Sequence, residues 1–397
     1  MDRRRALRSV AAGVTAALAA PRSLFAADYD LVIRGGRVLD PATGFDGLAD
    51  VAISDGQIAA VGRDLVVHAG AESLDARGKL VVPGLIDVHL HARDAELPPA
   101  EILRTGGVTS MVDAGSKGAD NLEQIVEIAR QAPNRLRVLL NIATLGNNNP
   151  NGRAEFLDGI ERADVDKARR AIEQNREWIV GIKARLSKGV AAERDRAVLA
   201  RALEAAAPFN IPVMVHVGDT FTPLPELLAL LRPGDIVTHV YAPVNGILDA
   251  SGRVLAAVRD ARSRGVRFDL GNGLNEHWRW DVAERALEQD FAPDTISSDL
   301  NVPGRAQQVF DLPNVLSKFL LLGMSLSEVL ASATSRAAET FRELAPYGSL
   351  RKGAVADVTV LELTEGTFEF VDNYKGSRTG SQRLVTRAVV YGGKLVT

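Results

Sequence analysis

The 397-residue chain has no cysteine, which excludes disulfides, a thiolate nucleophile and cysteine-ligated zinc. A chain without thiols works in either redox setting, so this absence says nothing about compartment. An excess of charge of one sign is also lacking. Lys and Arg number 47 against 50 Asp and Glu, a formal net charge of -3. No broad basic surface follows from that balance, so neither nucleic acid nor an anionic membrane is an expected partner. Long hydrophobic runs are missing too. Beyond the N-terminal region no stretch reaches the 18 consecutive apolar residues that a membrane-spanning helix needs.

What is present begins with an ordered N-terminus. Arg3-Arg4-Arg5 precedes a short apolar stretch from Val10 to Ala20, and Ala26-Ala27 follows Pro21-Arg22-Ser23-Leu24-Phe25. A basic region, a short apolar region and an Ala-rich end together read as a secretory signal over residues 1–27. The arginine run resembles a twin-arginine signal. Periplasmic or secreted location is therefore expected, with cleavage near Ala26.

The full chain is 46% hydrophobic and 24% charged, ordinary for a soluble globular protein. Its length suits one barrel of about 250 residues with a smaller companion domain. Strand signals broken by glycine crowd both ends, as in Asp30–Asp40, Asp50–Gly62, Ala356–Leu361 and Val385–Val396. A small β-sandwich domain assembled from both chain ends (28–82 and 343–397) is expected, with the catalytic domain (83–342) inserted between them. Inside that insert, strand candidates centre on 84–91, 108–114, 135–143, 179–187, 211–217, 235–241, 266–271 and 294–300. Helical spacing separates several of them, as in Asn121–Ala132, Arg194–Ala207, Arg253–Arg264 and Val282–Gln289. Alternation of this kind predicts an α/β fold, a (β/α)8 TIM barrel. An open doubly wound sheet is the rival, but no Gly-x-Gly-x-x-Gly follows an early strand. The long loop 144–163 is of a length that is often functional.

Six histidines occur, and four sit at or near the ends of expected strands: His89, His91, His216 and His239. His89 and His91 are alternate residues of one strand and can face one metal together. Asp299 closes the strand candidate that ends Thr295-Ile296-Ser297-Ser298-Asp299. Lys183 lies inside another, where an unpartnered ammonium is costly to bury. A lone histidine at a strand end is most often a packed core residue. The joint placement at C-terminal strand ends is what points to chemistry, because barrel enzymes collect their reacting groups there.

These residues resemble the amidohydrolase superfamily, in the branch with two metals bridged by a carboxylated lysine. The resemblance extends over nearly all of 29–397. It includes Val32-Ile33-Arg34-Gly35-Gly36, Pro83-Gly84-Leu85-Ile86-Asp87 and Lys352-Gly353-Ala354-Val355-Ala356-Asp357. Thr109–Ser116 and Gly181-Ile182-Lys183 resemble a dihydroorotase-like subgroup of deacetylases. The resemblance implies two divalent metal ions, for which imidazole suits Zn²⁺. His89, His91 and Asp299 would hold the first, His216 and His239 the second, and carboxylated Lys183 would bridge them. Burial of that lysine then stops being a cost, because the side chain becomes an anion between cations. A metal-bridging hydroxide would attack the substrate carbonyl while Asp299 carries the proton. The implied activity is removal of an N-acyl or O-acetyl group from a small carboxylate-bearing molecule. A cyclic amidase of dihydroorotase or hydantoinase type is the alternative, and a hydrolase-derived binding protein is the non-enzymatic one.

Arg93 completes Asp87-x-His89-x-His91-x-Arg93, similar to dihydroorotases, where this arginine binds the substrate carboxylate; a surface arginine is the alternative. Arg185, two beyond Lys183 on the same strand face, is a second candidate. The stretch Gly271–Trp278 departs from the Gly/Ser-rich pattern of the deacetylase subgroup. His277 within it is a candidate substrate contact, with a solvent-facing loop histidine as the alternative. His68 reads as structural or solvent-facing.

Overall fold

A computed structural model describes residues 28–66, 70–93, 95–147, 155, 156 and 159–396. The expected signal over 1–27 and His68 lie outside these residues. The chain enters through β1 (Leu31–Asp40), β2 (Phe45–Ser54) and β3 (Gln57–Gly62), the last two joined at Asp55-Gly56. Short β4 (Glu72–Asp75) and β5 (Leu80–Pro83) return beside β1 in parallel. Seven further strands then form the inserted domain: β6 (Leu85–Leu90), β7 (Val108–Gly118), β8 (Arg135–Asn141), β9 (Ile179–Arg185), β10 (Val213–His216), β11 (Ile236–Thr238) and β12 (Arg267–Asp269). The chain closes through β13 (Val358–Val371), β14 (Ser377–Tyr391) and β15 (Lys394–Leu395).

Both chain ends build one mixed sheet, ordered β15-β14-β13-β5-β1-β2-β3 with β4 on β1. The two ends meet where β13 runs antiparallel to β5, Val358 opposite Pro83 and Leu361 opposite Leu80. Leu31, Ile33, Val51, Ile53, Val81, Val358, Val360 and Val390 share a common apolar core, which holds residues from the two ends together. Each such side chain contributes about 1.5–3 kcal/mol when fully buried.

The inserted strands run in sequential order, every neighbouring pair parallel. They are buried on both faces, which is why β6, β9 and β10 read as near-continuous apolar runs rather than alternating ones. Helices fall where the spacing places them, at Glu123–Gln131, Asp195–Ala206, Ala256–Ser263 and Trp280–Leu287. The eighth strand candidate, 294–300, differs from expectation. It makes isolated parallel bridges, Thr295 to Asp269 and Leu300 to Leu90, instead of a ladder. Backbone bonds from Leu270 N to Thr295 O, from Asp299 N to His89 O and from His91 N to Leu300 O still close the barrel. Regular pairing fails because Asp299 is left-handed (φ 45°) and its neighbours' side chains bond inward: Ser297 to Asp269 and Ser298 to Asp87.

Ala337, Phe341 and Leu344 pack against Ile86, Val88, Val112, Leu139 and Ile236. Bonds from Ile86 N to Ala333 O and from Ile296 N to Ser332 O put this plug at the N-terminal ends of the strands. The opposite end is left open for a site. Among the described residues no helix is long and apolar enough to cross a membrane.

Candidate active site

A cavity of about 460 Å³ opens at the C-terminal ends of the strands. His89, His91, Lys183, His216, His239 and Asp299 all line it, together with Arg93, Arg185 and His277. Every residue singled out from the sequence for chemistry thus comes to one place. Ligand atoms of His89, His91 and Asp299 lie within 4.8 Å of one another, and so do those of His216, His239 and His277. Only the second grouping differs from expectation, by adding His277.

The histidines are oriented from behind. Ser116 Oγ donates to Asp113 Oδ2 (2.7 Å), so the contact at 2.9 Å with His91 Nδ1 is one in which the imidazole donates. Thr238 Oγ1 likewise donates to Asp269 Oδ2 (2.7 Å) and receives His89 Nδ1–H at 2.9 Å. His239 Nδ1 lies 2.8 Å from the Gly271 carbonyl, which can only accept. In all three rings the proton therefore sits on Nδ1 and a lone pair on Nε2 faces the cavity. Asp269 also accepts from Thr295 and Ser297, so it is a buried hub behind the site.

The His89 lone pair meets the Lys183 amine at 3.0 Å, but the other two lack matching donors. His239 Nε2 is buried with no hydrogen-bond partner. His91 Nε2 stands 3.1 Å from Asp299 Oδ1, lone pair toward carboxylate. That contact requires a positive centre between the two, a proton or a metal cation. A set of imidazole nitrogens and one carboxylate is the donor chemistry that borderline divalent metals take, so the residues present fit metal binding.

Electrostatics agree. Burial and then Lys183 push the His89 imidazole down to about 4. Burial, reinforced by neighbouring imidazoles, holds His216 and His239 well below the usual value. Neutral rings at physiological pH are ready ligands. Burial raises the Asp299 carboxyl, but His89, His277 and His91 outweigh it and hold it well below the ordinary carboxylate range. His277 Nδ1 is 3.0 Å from Asp299 Oδ2, although the angles fall outside hydrogen-bond geometry, so the pair is an electrostatic contact.

Lys183 is buried, with Nζ 3.0 Å from His89 Nε2. Burial pushes its ammonium down to about 8, against the opposing pull of Asp299 and Asp269. Gly115 makes room for it: a Cβ there would stand 2.6 Å from Lys183 Cβ.

Gly273 plays the same part for the carboxylate. At φ 49°, a Cβ would fall 2.3 Å from both Asp299 Oδ2 and His277 Nδ1. Gly273→Ala should therefore lower kcat/KM by roughly tenfold or more, since displaced reacting groups are costly, with a modest fall in melting temperature because a left-handed alanine costs about 1–2 kcal/mol. Parallel steady-state kinetics and thermal unfolding check this; wild-type turnover would show that the groups tolerate the shift.

The two arginines differ in support. Arg185 Nη1 donates to Glu155 Oε1 at 2.9 Å, and that carboxylate is almost wholly buried. Arg93 is about half exposed at the rim, 3.5 Å from Glu96. Glu155 escaped the sequence reading, and only its place in the long 144–163 loop hinted at use. Asp269 escaped as well, because β12 is only Arg267-Phe268-Asp269 and shows no apolar run against which a carboxylate would stand out.

No protein-family model matches the chain. A deacetylase from Enterococcus faecalis is 30% identical over 376 residues, covering 93% of this chain and 99% of the relative. A deacetylase from Agrobacterium fabrum is 33% identical over 329 residues, 80% of this chain and 79% of that protein. The solved structure of an adenine deaminase superposes with a TM-score of 0.83 at 29% identity, covering 93% of this chain and 99% of that one. A dihydroorotase structure gives 0.83 at 28% identity, covering 92% and 98%.

Proposed function

We propose that this chain, which belongs to the amidohydrolase superfamily, is a two-metal hydrolase that removes an N-acyl or O-acetyl group from a small carboxylate-bearing substrate. One observation carries the reading. Imidazole nitrogens with their protons fixed on the far side converge with a strongly ionised carboxylate, and a buried lysine amine lies 3.0 Å from one of them.

His89, His91 and Asp299 would hold one cation, and His216 and His239 the other. When bound, the pair would acidify a water and polarise a carbonyl. Asp299, ionised at neutral pH, accepts the attacking water's proton at a carboxylate oxygen and passes it to the leaving nitrogen or oxygen. Lys183 is suited to carboxylation, because burial leaves part of it as neutral amine, which adds to carbon dioxide with loss of a proton. The resulting carbamate would offer two oxygens where the ammonium offers none. The N-terminal signal over 1–27 supports export to the periplasm or beyond, and detection of the mature chain in a periplasmic extract would test it.

The arrangement is tested by elemental analysis and an assay panel. Two metals per chain are expected, with turnover of N-acetyl or N-acyl amino acids or of acetylated hydroxy acids. Dihydroorotate and adenine belong in the panel, because relatives carry those names. Exclusive turnover of dihydroorotate would establish the cyclic amidase instead. No turnover at full metal loading would favour a binding protein, and one tightly bound metal in fully active enzyme would sink the two-metal reading.

Carboxylate recognition makes a further prediction. Guanidinium matches a carboxylate with two parallel hydrogen bonds, a geometry lysine cannot copy. Arg185→Lys or Arg93→Lys should raise KM for an N-acyl amino acid by about tenfold while sparing its neutral amide. Glu155 holds the Arg185 guanidinium in place, so Arg185 is the stronger candidate. Equal kcat/KM for acid and amide, in wild type and both variants, would rule out carboxylate recognition.

A further inference from the structure

We infer that the turn joining β13 to β14 is part of the active site, and that Asn373 within it is a positioning residue for His277. The turn, 372–376, springs from the sheet built by the chain ends, yet it docks on the loop following β12. Asn373 Oδ1 accepts the backbone N–H of His277 at 2.9 Å and of Trp278 at 3.0 Å. Its Nδ2 donates to the Gly273 carbonyl at 3.0 Å and to Gln308 Oε1 at 3.1 Å. An amide side chain has two acceptor sites and two donors. All four are used here, three on one loop. Reversing the amide would set an NH2 group against two N–H donors, so its orientation is determined by its partners.

Neighbouring groups fasten the same turn. Asp372 accepts from the N–H groups of Tyr374 and Gly376 at Oδ1 and from Trp280 N at Oδ2. Buried Lys318 donates both to Asn272 Oδ1 (2.9 Å) and to the Val371 carbonyl (3.0 Å), tying the loop to the end of β13. Tyr374, next in the turn, lines the cavity itself.

The gripped segment matters for chemistry because His277 belongs to no helix or strand. Gly273 N bonds Ser298 O at 2.9 Å and secures the front of the loop. Further along, the His277 amide has only a long 3.4 Å bond to Leu274 O besides Asn373. The ring it carries lies tilted against His239, centroids 3.8 Å apart, and reaches Asp299 at 3.0 Å. Placement of that ring therefore depends on a residue 96 positions away in the chain.

The inference rests on the functional reading only in taking His277 to face the reaction, and the experiment separates the two. In Asn373→Ala, residue-resolved hydrogen exchange at His277 and Trp278 should accelerate about tenfold or more, with the barrel strands unchanged. Asn373→Asp keeps both acceptor bonds but turns its second oxygen toward the Gly273 carbonyl, so it should restore part of that protection. With an active substrate, Asn373→Ala should lower kcat about tenfold, Asn373→Asp should recover part of it, and Asn373→Ala should add little in a His277→Ala background. Unchanged exchange at His277, or losses that simply add in the double variant, would overturn the assignment. If no acyl substrate is turned over, the functional reading fails while the exchange data still decide whether Asn373 places His277.

Discussion

Lys183→Ala should lose roughly a hundredfold or more in kcat/KM, beyond the 10–100-fold typical of losing an outer partner of a metal ligand. Added formate, acetate or propionate should then restore part of the activity. The side chain is buried beside His89, with Gly115 cleared to admit it, so alanine leaves a space next to the proposed metal ligands, where the cations they would hold would favour an anion. A short carboxylate brings two oxygens to that space, much as a carbamate would. Rescue should saturate with carboxylate concentration and weaken for acids too bulky for the gap. Metal content measured alongside separates a lost bridge from a collapsed site. Substantial activity without added acid would show that Lys183 serves packing alone, and loss of activity with no rescue by any acid would remove the support for a carbamate.

Asp299→Asn should fold normally and lose about 10²–10⁴-fold in turnover, the range that general acid–base groups supply. Amide and carboxylate have similar volumes, so the approach of Gly273 is undisturbed. The difference is charge. Asp299 is the carboxylate that faces His91 at 3.1 Å and His277 at 3.0 Å, and an amide neither carries a negative charge nor accepts a proton at neutral pH. Turnover by the metal-loaded variant, with its thermal unfolding as control, is the measurement. Near wild-type turnover would mean that another group moves the proton.

The arrangement of the chain explains which parts of this were legible. His89 and His91 announce themselves because strand geometry puts alternate residues on one side, and Lys183 because an ammonium in an apolar strand demands a reason. Strand–helix alternation likewise carries the barrel, since parallel strands buried on both faces leave continuous apolar runs. His277 was harder to assign. Its loop has no periodicity, and its pairing with His216 and His239 appears only when β10, β11 and the loop after β12 are brought side by side.

By itself, then, the sequence determined the fold class, which polar side chains stand at strand ends, and the absence of thiol chemistry, because these depend on local geometry and composition. Tertiary structure alone decided what stands behind and around them. The protons on His89, His91 and His239 are assigned by Thr238, Ser116 and Gly271, and none of the three lies on the same strand as the histidine it serves. The eighth barrel segment gives up regular pairing because Asp87 and Asp269 draw its serines inward. Asn373 meets His277 only because the hairpin of the terminal sheet folds across the barrel mouth. Such contacts join residues tens to hundreds of positions apart, and a single hydrogen bond between distant residues leaves no periodic trace in the chain that makes it.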